Sequence, residues 1–186
     1  MSQTLRPFRL ITLLEAIKLA ELRNLEGSAL GCNASTTYKS DLAEFLTRNV
    51  NGILAELVVG RKFDRFYLPS CNTFHNQADV GEDIEVRSTH HLNGSLILRD
   101  NDYPDRRYVL VIVRVGQSAE GESKEDRARQ GFAVKGWAYG HEVMRDEWKV
   151  AGEGRPHWRY RGPLRPFETL TLERPKDAAM QPEYVW

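Results

Sequence analysis

Between Asp79 and Arg87 the chain packs five charged side chains, Asp79, Glu82, Asp83, Glu85 and Arg87, into nine positions. Ile84 and Val86 alternate with them, which is the period of a half-buried strand. Side chains two apart on a strand point the same way, so Glu85, Arg87 and Thr89 share one face and Ile84, Val86 and Ser88 the other. Gly81 is a turn signal that folds Asp79 back beside Glu85, so two carboxylates and a guanidinium meet at one sheet edge. Converging carboxylates repel each other unless a cation lies between them. Hard oxygen donors select magnesium, manganese or calcium. The same charges also suit a hairpin whose outer face is solvated, so the flanking elements have to decide.

Upstream, Thr12 and Glu15 have capping-box spacing, with Leu13, Leu14, Ile17 and Leu22 as an apolar side and Gly27 as the end of a first helix. A longer second helix starts at Ser40 or Asp41. Its stripe of Leu42, Phe45, Leu46, Val50, Ile53, Leu54, Leu57 and Val58 has helical period, and Gly60 closes it ahead of Arg61 and Lys62. Glu56 borders that stripe, with Gly52 one turn back clearing space, so its carboxyl can point toward a sheet; an ordinary boundary glutamate would instead reach for water. Short strands are expected at Arg65 to Leu68, Ser95 to Arg99 and Phe132 to Tyr139. Tyr108 to Val115 is nearly continuous β-branched and apolar, as in a central strand buried on both faces. His91-Leu92-Asn93-Gly94 is a hairpin signal. DNDYPDRR, from Asp100, reads as a polar loop, Gly116 to Gln130 as a charged mobile loop, His141 to Lys149 as a short helix, and FETLTL as strand-like.

Composition fits a globular chain: 41% of the 186 residues are hydrophobic, 28% are charged, and the formal net charge is zero. Bulk charge therefore does not advertise a polyanionic partner, and any basic surface must be local. Two cysteines, Cys32 and Cys71, do not make a disulfide scaffold, and no apolar run reaches membrane-spanning length. With no recognisable signal peptide at its start, the chain is expected in a reducing cytoplasm.

A helix bearing Glu56, Asp79 at a strand end, Glu85-Val86-Arg87 on the next strand and then further strands together resemble the PD-(D/E)XK nuclease superfamily. NGILAELVVGRKFD, ADVGEDIEVRST and YVLVIV look like small phage-type members. The resemblance implies one α/β domain over residues 1–186, restriction endonuclease-like, with a mixed sheet of about five strands flanked by helices. Its core would span about 41–150, after an N-terminal helix and loop (1–40) and before a basic, aromatic extension (151–186). It implies a deoxyribonuclease in which Asp79, Glu85, Glu56 and the carbonyl of Val86 hold Mg2+ (or Mn2+). A homodimer is compatible with that reading.

The sequence departs from the family where lysine is usual, because Arg87 stays protonated and cannot act as a base. Lys62 and Lys135 are the lysines that could replace it in space, and His90 is the neighbour that could take a proton. His90 and His91 face opposite ways on a strand, so they cannot share one site. The spacing from Asp79 to Glu85 demands a tight turn, and the charged stretch after Val115 lacks the amphipathic helix expected before the last core strand. In the tail, Arg155, Arg159, Arg161 and Arg165 are interleaved with Trp158 and Tyr160, a pattern suited to phosphates and base stacking. The alternative is that the two aromatics pack on the core. A catalytically weak relative that binds nucleic acid or a protein, and a plain structural protein, are the competing readings of the whole chain.

Overall fold

The computed structural model describes residues 5–29, 42–63, 78–115, 123–125, 130–150 and 156–172, without the side chains of 24–29 and 42–46. Two helices, α1 (Leu10–Ala29) and α2 (Leu42–Lys62), precede the strands β1 (Ile84–Thr89), β2 (Leu96–Arg99), β3 (Arg107–Arg114) and β4 (Gly131–Tyr139). A short helix α3 (Gly140–Val143) follows, then β5 (Lys149–Val150) and β6 (His157–Tyr160). The fold is α/β, but the strands do not form one sheet of about five. Among the described residues they form two sheets of three, a mixed one ordered β1-β3-β4 and an antiparallel one ordered β2-β6-β5.

The eight residues of β3 are all buried, as its apolar run requires, and it is the central strand of the mixed sheet. Val109, Val111 and Val113 join the core cluster that contains Ile53, Leu54 and Val59 of α2 and Ala16 and Ala20 of α1. Tyr108 and Leu110 face the other way, into a second cluster with Leu96 and Leu98 of β2. The molecule is therefore layered as helices, mixed sheet, then small sheet, with period-2 alternation on β3 feeding both cores. That second core is why the strands divide: β2 leaves the mixed sheet to pair with β6, and both pack across its far face.

α1 corrects the sequence reading. Among its described side chains the buried ones are Thr12, Ala16 and Ala20, while Leu10, Ile11, Leu14, Ile17 and Leu22 are exposed. Two alanines one turn apart leave a shallow ridge on which α2 packs, so the small face is the inner one. Thr12 is no cap, since the helix begins at Leu10; its hydroxyl instead accepts from Arg61 at 3.0 Å. Gly60 does not end α2, which continues to Lys62. FETLTL is not a strand: Phe167–Thr169 is a 3-10 turn, held by Thr169 Oγ1 donating to the Pro166 carbonyl at 2.7 Å. Arg65 to Leu68, the caps at Ser40 and Asp41, both cysteines and most of Gly116 to Gln130 lie outside the described residues.

Candidate active site: a carboxylate cluster laced with arginines

Among the described residues β1 is an edge strand of its sheet, and one row of its backbone groups faces away from β3. Val80 bridges back to Ile84 through a turn in which Gly81 has φ +67°, a conformation suited to glycine. That turn delivers Asp79 to the strand edge, where its Oδ2 accepts from the Val86 N–H at 2.7 Å. Glu85 and Arg87 stand in register with Tyr108 and Leu110 and share their face, while Ile84 and Val86 enter the helix-side core. From that helix side, α2 brings Glu56, 7% exposed, toward the same edge. Apart from its own helix backbone and chain neighbours, nothing lies within 4 Å of where a Cβ on Gly52 would be, so the space one turn back is open.

The three carboxyls affect one another electrostatically. Burial pushes Asp79 up to about 6, and the charge on Glu56 pushes in the same direction. Burial also raises Glu85, with Asp79 as a second cause, and it raises Glu56, with Glu85 contributing after the opposing effect of Arg23. Arg87 is held above its ordinary value: burial works against its charge, but Asp102, Glu85 and Asp79 outweigh it. The structure thus brings Glu56, Asp79, Glu85 and Arg87 into one neighbourhood from three separate elements.

Guanidinium groups the sequence did not single out thread this cluster. Arg23 of α1 binds Glu56 with both terminal nitrogens, at 2.8 and 3.2 Å. Arg106 binds Glu85 and lies over the Tyr103 ring. Arg87 is bonded to Asp102 and is 3.7 Å from Glu85, above the Tyr108 ring. Asp102 is fixed in turn by the Arg99 N–H at 2.8 Å, and the Tyr108 hydroxyl both accepts from and donates to the Tyr103 backbone. The polar loop before β3 therefore belongs to the site. The signal for it was topological: β3 runs parallel to β1 with Arg107 opposite Ile84, so residues just before β3 must arrive beside Glu85.

The donors fit a hard divalent ion in kind, being carboxylate oxygens in a partly buried site with raised carboxyls. Their present partners are Arg23 for Glu56, Arg106 for Glu85 and a backbone amide for Asp79. Among the described residues, no three His, Cys, Asp or Glu side chains are gathered as the ligands of one ion. Ligation by all three would require the arginines to move.

Replacing Arg23 tests the first of these ties. Arg23→Met is expected to destabilise the fold by about 2 kcal/mol at pH 7, the scale of hydrogen bonds to a charged group. The loss should shrink on acidification, as Glu56, whose pKa lies above its ordinary value, takes a proton. Urea melts at two pH values check both statements.

Other candidates stand elsewhere. Lys62 turns its amine to the Phe167 carbonyl and lies 4.5 Å from the centre of that ring, so it does not replace the missing lysine at the carboxylates. Lys135 faces the carbonyls of Leu92 and Gly94. His90 and His91 do not face opposite ways: β1 ends at Thr89, and beyond the strand the two rings pack together with centres 4.0 Å apart. Of the basic tail, Arg155 is outside the described residues, and Arg159 and Arg161 are exposed. Trp158 packs on the second core from β6. Arg165 is taken by Glu142 through two bonds of 2.5 and 2.6 Å and lies over Trp137, holding α3 to β4. The tail pattern thus divides into packing residues and a smaller set of exposed cations.

Among the described residues no helix is long and apolar enough to cross a membrane. No family model matches this chain, and neither a curated protein nor a solved structure matches it significantly.

Proposed function

We propose that the chain is a metal-dependent phosphodiester hydrolase acting on nucleic acid, DNA in the first instance, built on a restriction endonuclease-like plan. One observation carries the reading: a helix, a turn and an edge strand each deliver a buried or partly buried carboxyl to the same strand edge, beside Arg87. Such a concentration of like charge, with carboxyl pKa values raised, is typical of a functional site and expensive as mere structure. Asp79 and Glu85, with Glu56 and the Val86 carbonyl, would hold Mg2+ or Mn2+. When bound, the ion supplies a Lewis acid and an acidified water at neutral pH.

The remaining work falls to the chain's own groups. A phosphoryl group undergoing transfer needs cationic donors around its oxygens. Arg87 supplies a planar fork suited to two of them, and the carboxylate of Asp102 orients that fork. Since Arg87 cannot take a proton, it binds and stabilises charge only. Arg87→Ala should lower cleavage about 100-fold, whereas Arg87→Lys should retain or exceed wild-type activity; steady-state rates on one DNA substrate decide, and an unaffected Arg87→Ala protein would remove the residue from the mechanism.

A second reading has its own support. Arginines tie Glu56 and Glu85, and Arg87 stands where the family has lysine, as expected of an inactive relative that binds nucleic acid or protein. Plasmid, linear and single-stranded DNA incubated with magnesium or manganese separate the two, beside an Asp79→Ala control. Metal-dependent cutting lost in the control supports the hydrolase. Tight binding without cutting supports the inactive relative.

A further inference from the structure

The apolar side of α1 faces water. Leu10, Ile11, Leu14, Ile17 and Leu22 are 46% to 71% exposed, and Ile97 is the one other exposed large apolar side chain among the described residues. At about 100° per residue the five fall in an arc of about 140°, centred opposite Ala16. Ala16 and Ala20 are fully buried in the core shared with α2, so α1 is packed through one face and apolar on the other. A helix apolar all round is normally covered all round. The arc runs about 18 Å along the helix from Leu10 to Leu22. Its five side chains leave on the order of 500 Å² in water, in the range of the largest patches on monomers, about 300–600 Å², which are often functional.

The charges in and beside the arc select what covers it. Lys18 and Glu21 interrupt its C-terminal half, whereas Arg6 and Arg9 are exposed at its N-terminal end. An identical helix laid parallel would set Lys18 against Lys18 and Glu21 against Glu21, and like charges opposed across a contact repel. Laid antiparallel, with Leu14 facing its own copy, it sets Ile11 of one copy against Ile17 of the other. Leu10 then meets the aliphatic stem of Lys18. Glu21 reaches the start of the other helix, where Arg6, Arg9 and the helix dipole all favour a carboxylate. The stripe is thus complementary to itself under a two-fold rotation, the commonest symmetry of soluble oligomers. Pairing covers about 1,000 Å² over the two copies, the size at which specific interfaces begin. An anionic lipid surface fits less well, because exposed Glu15 and Glu21 stand beside and within the arc.

We propose that two copies of the chain pair through the outer faces of α1, antiparallel about a two-fold axis at Leu14. The contact leaves the carboxylate cluster on the opposite side of the helix, where Arg23 holds Glu56. It stands independently of the hydrolase reading.

Sedimentation velocity of the full chain from about 1 to 200 μM tests it, since a contact at the small end of specific interfaces dissociates in the micromolar range. Wild type should pass from the 21.4 kDa monomer to a dimer. Leu14→Glu should weaken the dimer at least about 30-fold, the scale of a central contact. It should keep the wild-type circular dichroism, because position 14 is already 54% exposed. Ile97→Glu, on β2, should leave the dimer unchanged. Orientation is read by oxidative cross-linking in a background with Cys32 and Cys71 changed to serine. Leu14→Cys should link to its copy, whereas Glu21→Cys, at least about 21 Å from its copy, is beyond disulfide reach. Should Leu14→Glu unfold, this cysteine pair still decides. Wild type that is monomeric throughout, including one that binds anionic vesicles instead, a folded Leu14→Glu dimer as tight as wild type, or Glu21→Cys linking as readily as Leu14→Cys would each overturn the pairing.

Discussion

Asp83→Ala should destabilise the protein by about 3–5 kcal/mol, the usual consequence of leaving one member of a buried ion pair alone. Arg107 is 1% exposed at the start of β3, and Asp83 binds its Nε and Nη2 at 2.8 and 2.5 Å. The Arg107 N–H also donates to the Asp83 carbonyl at 2.8 Å, and Nη1 donates to the Thr171 carbonyl at 2.7 Å. One guanidinium thus joins the turn before β1, the first residue of β3 and the segment after the 3-10 turn. Removing Asp83 strands a charge that has no route to water, and the thermal midpoint should fall by roughly 10 °C. Asp83→Ala/Arg107→Met, which removes both charges, should recover much of that loss. Calorimetry on the two variants checks the order; a double variant as unstable as the single one would mean that the contact to Thr171, not the pair, matters most.

Asp79→Asn should have opposite effects on activity and stability. Cleavage should drop about a thousandfold, as large as the upper end of what removing one preorganised transition-state donor costs. The fold should gain stability at pH 7. The Asp79 carboxyl has a folded pKa of about 6, raised by burial and by Glu56. Between its unfolded value and 6 the native state holds the extra proton, so stability declines as pH rises through that window and the deficit is fully present at pH 7. Its upper bound is about 3 kcal/mol at some 1.4 kcal/mol per unit. Asparagine keeps an oxygen for the Val86 N–H and carries no charge, so it removes the deficit. Melts of wild type should therefore improve from pH 7 to pH 5, while Asp79→Asn should show a smaller change. A variant less stable than wild type at pH 7 would show that the carboxylate is well compensated in the native state.

Much of this layout was legible because alternation reports faces directly. β1 and β3 have the faces their apolar residues require, and Glu85 and Arg87 fall on one side of β1 for the same reason. Glu56 was legible as a boundary residue on a long amphipathic helix. What alternation does not report is which strands are neighbours. Nothing local in Leu96 to Arg99 says that it pairs with His157 to Tyr160 rather than with β1 or β3; that follows from the second core on the far side of Tyr108 and Leu110. The arginine partners were hidden for a related reason. Asp102 and Arg106 sit in a stretch whose composition suits a solvated loop, and only the parallel register of β3 on β1 brings them to the site. Arg23 meets Glu56 only because α1 packs through Ala16 and Ala20, a small-residue contact that an apolar-stripe argument overlooks.

Anomalous diffraction from a crystal soaked in manganese at pH 7 tests the central claim most directly. One peak is expected, bonded to the carboxylates of Asp79 and Glu85, with the Arg106 guanidinium displaced from Glu85. A carboxylate edge that stays metal-free at saturating manganese, with Arg106 still on Glu85 and Arg23 still on Glu56, would contradict it and leave the cluster as an arginine-braced structural element.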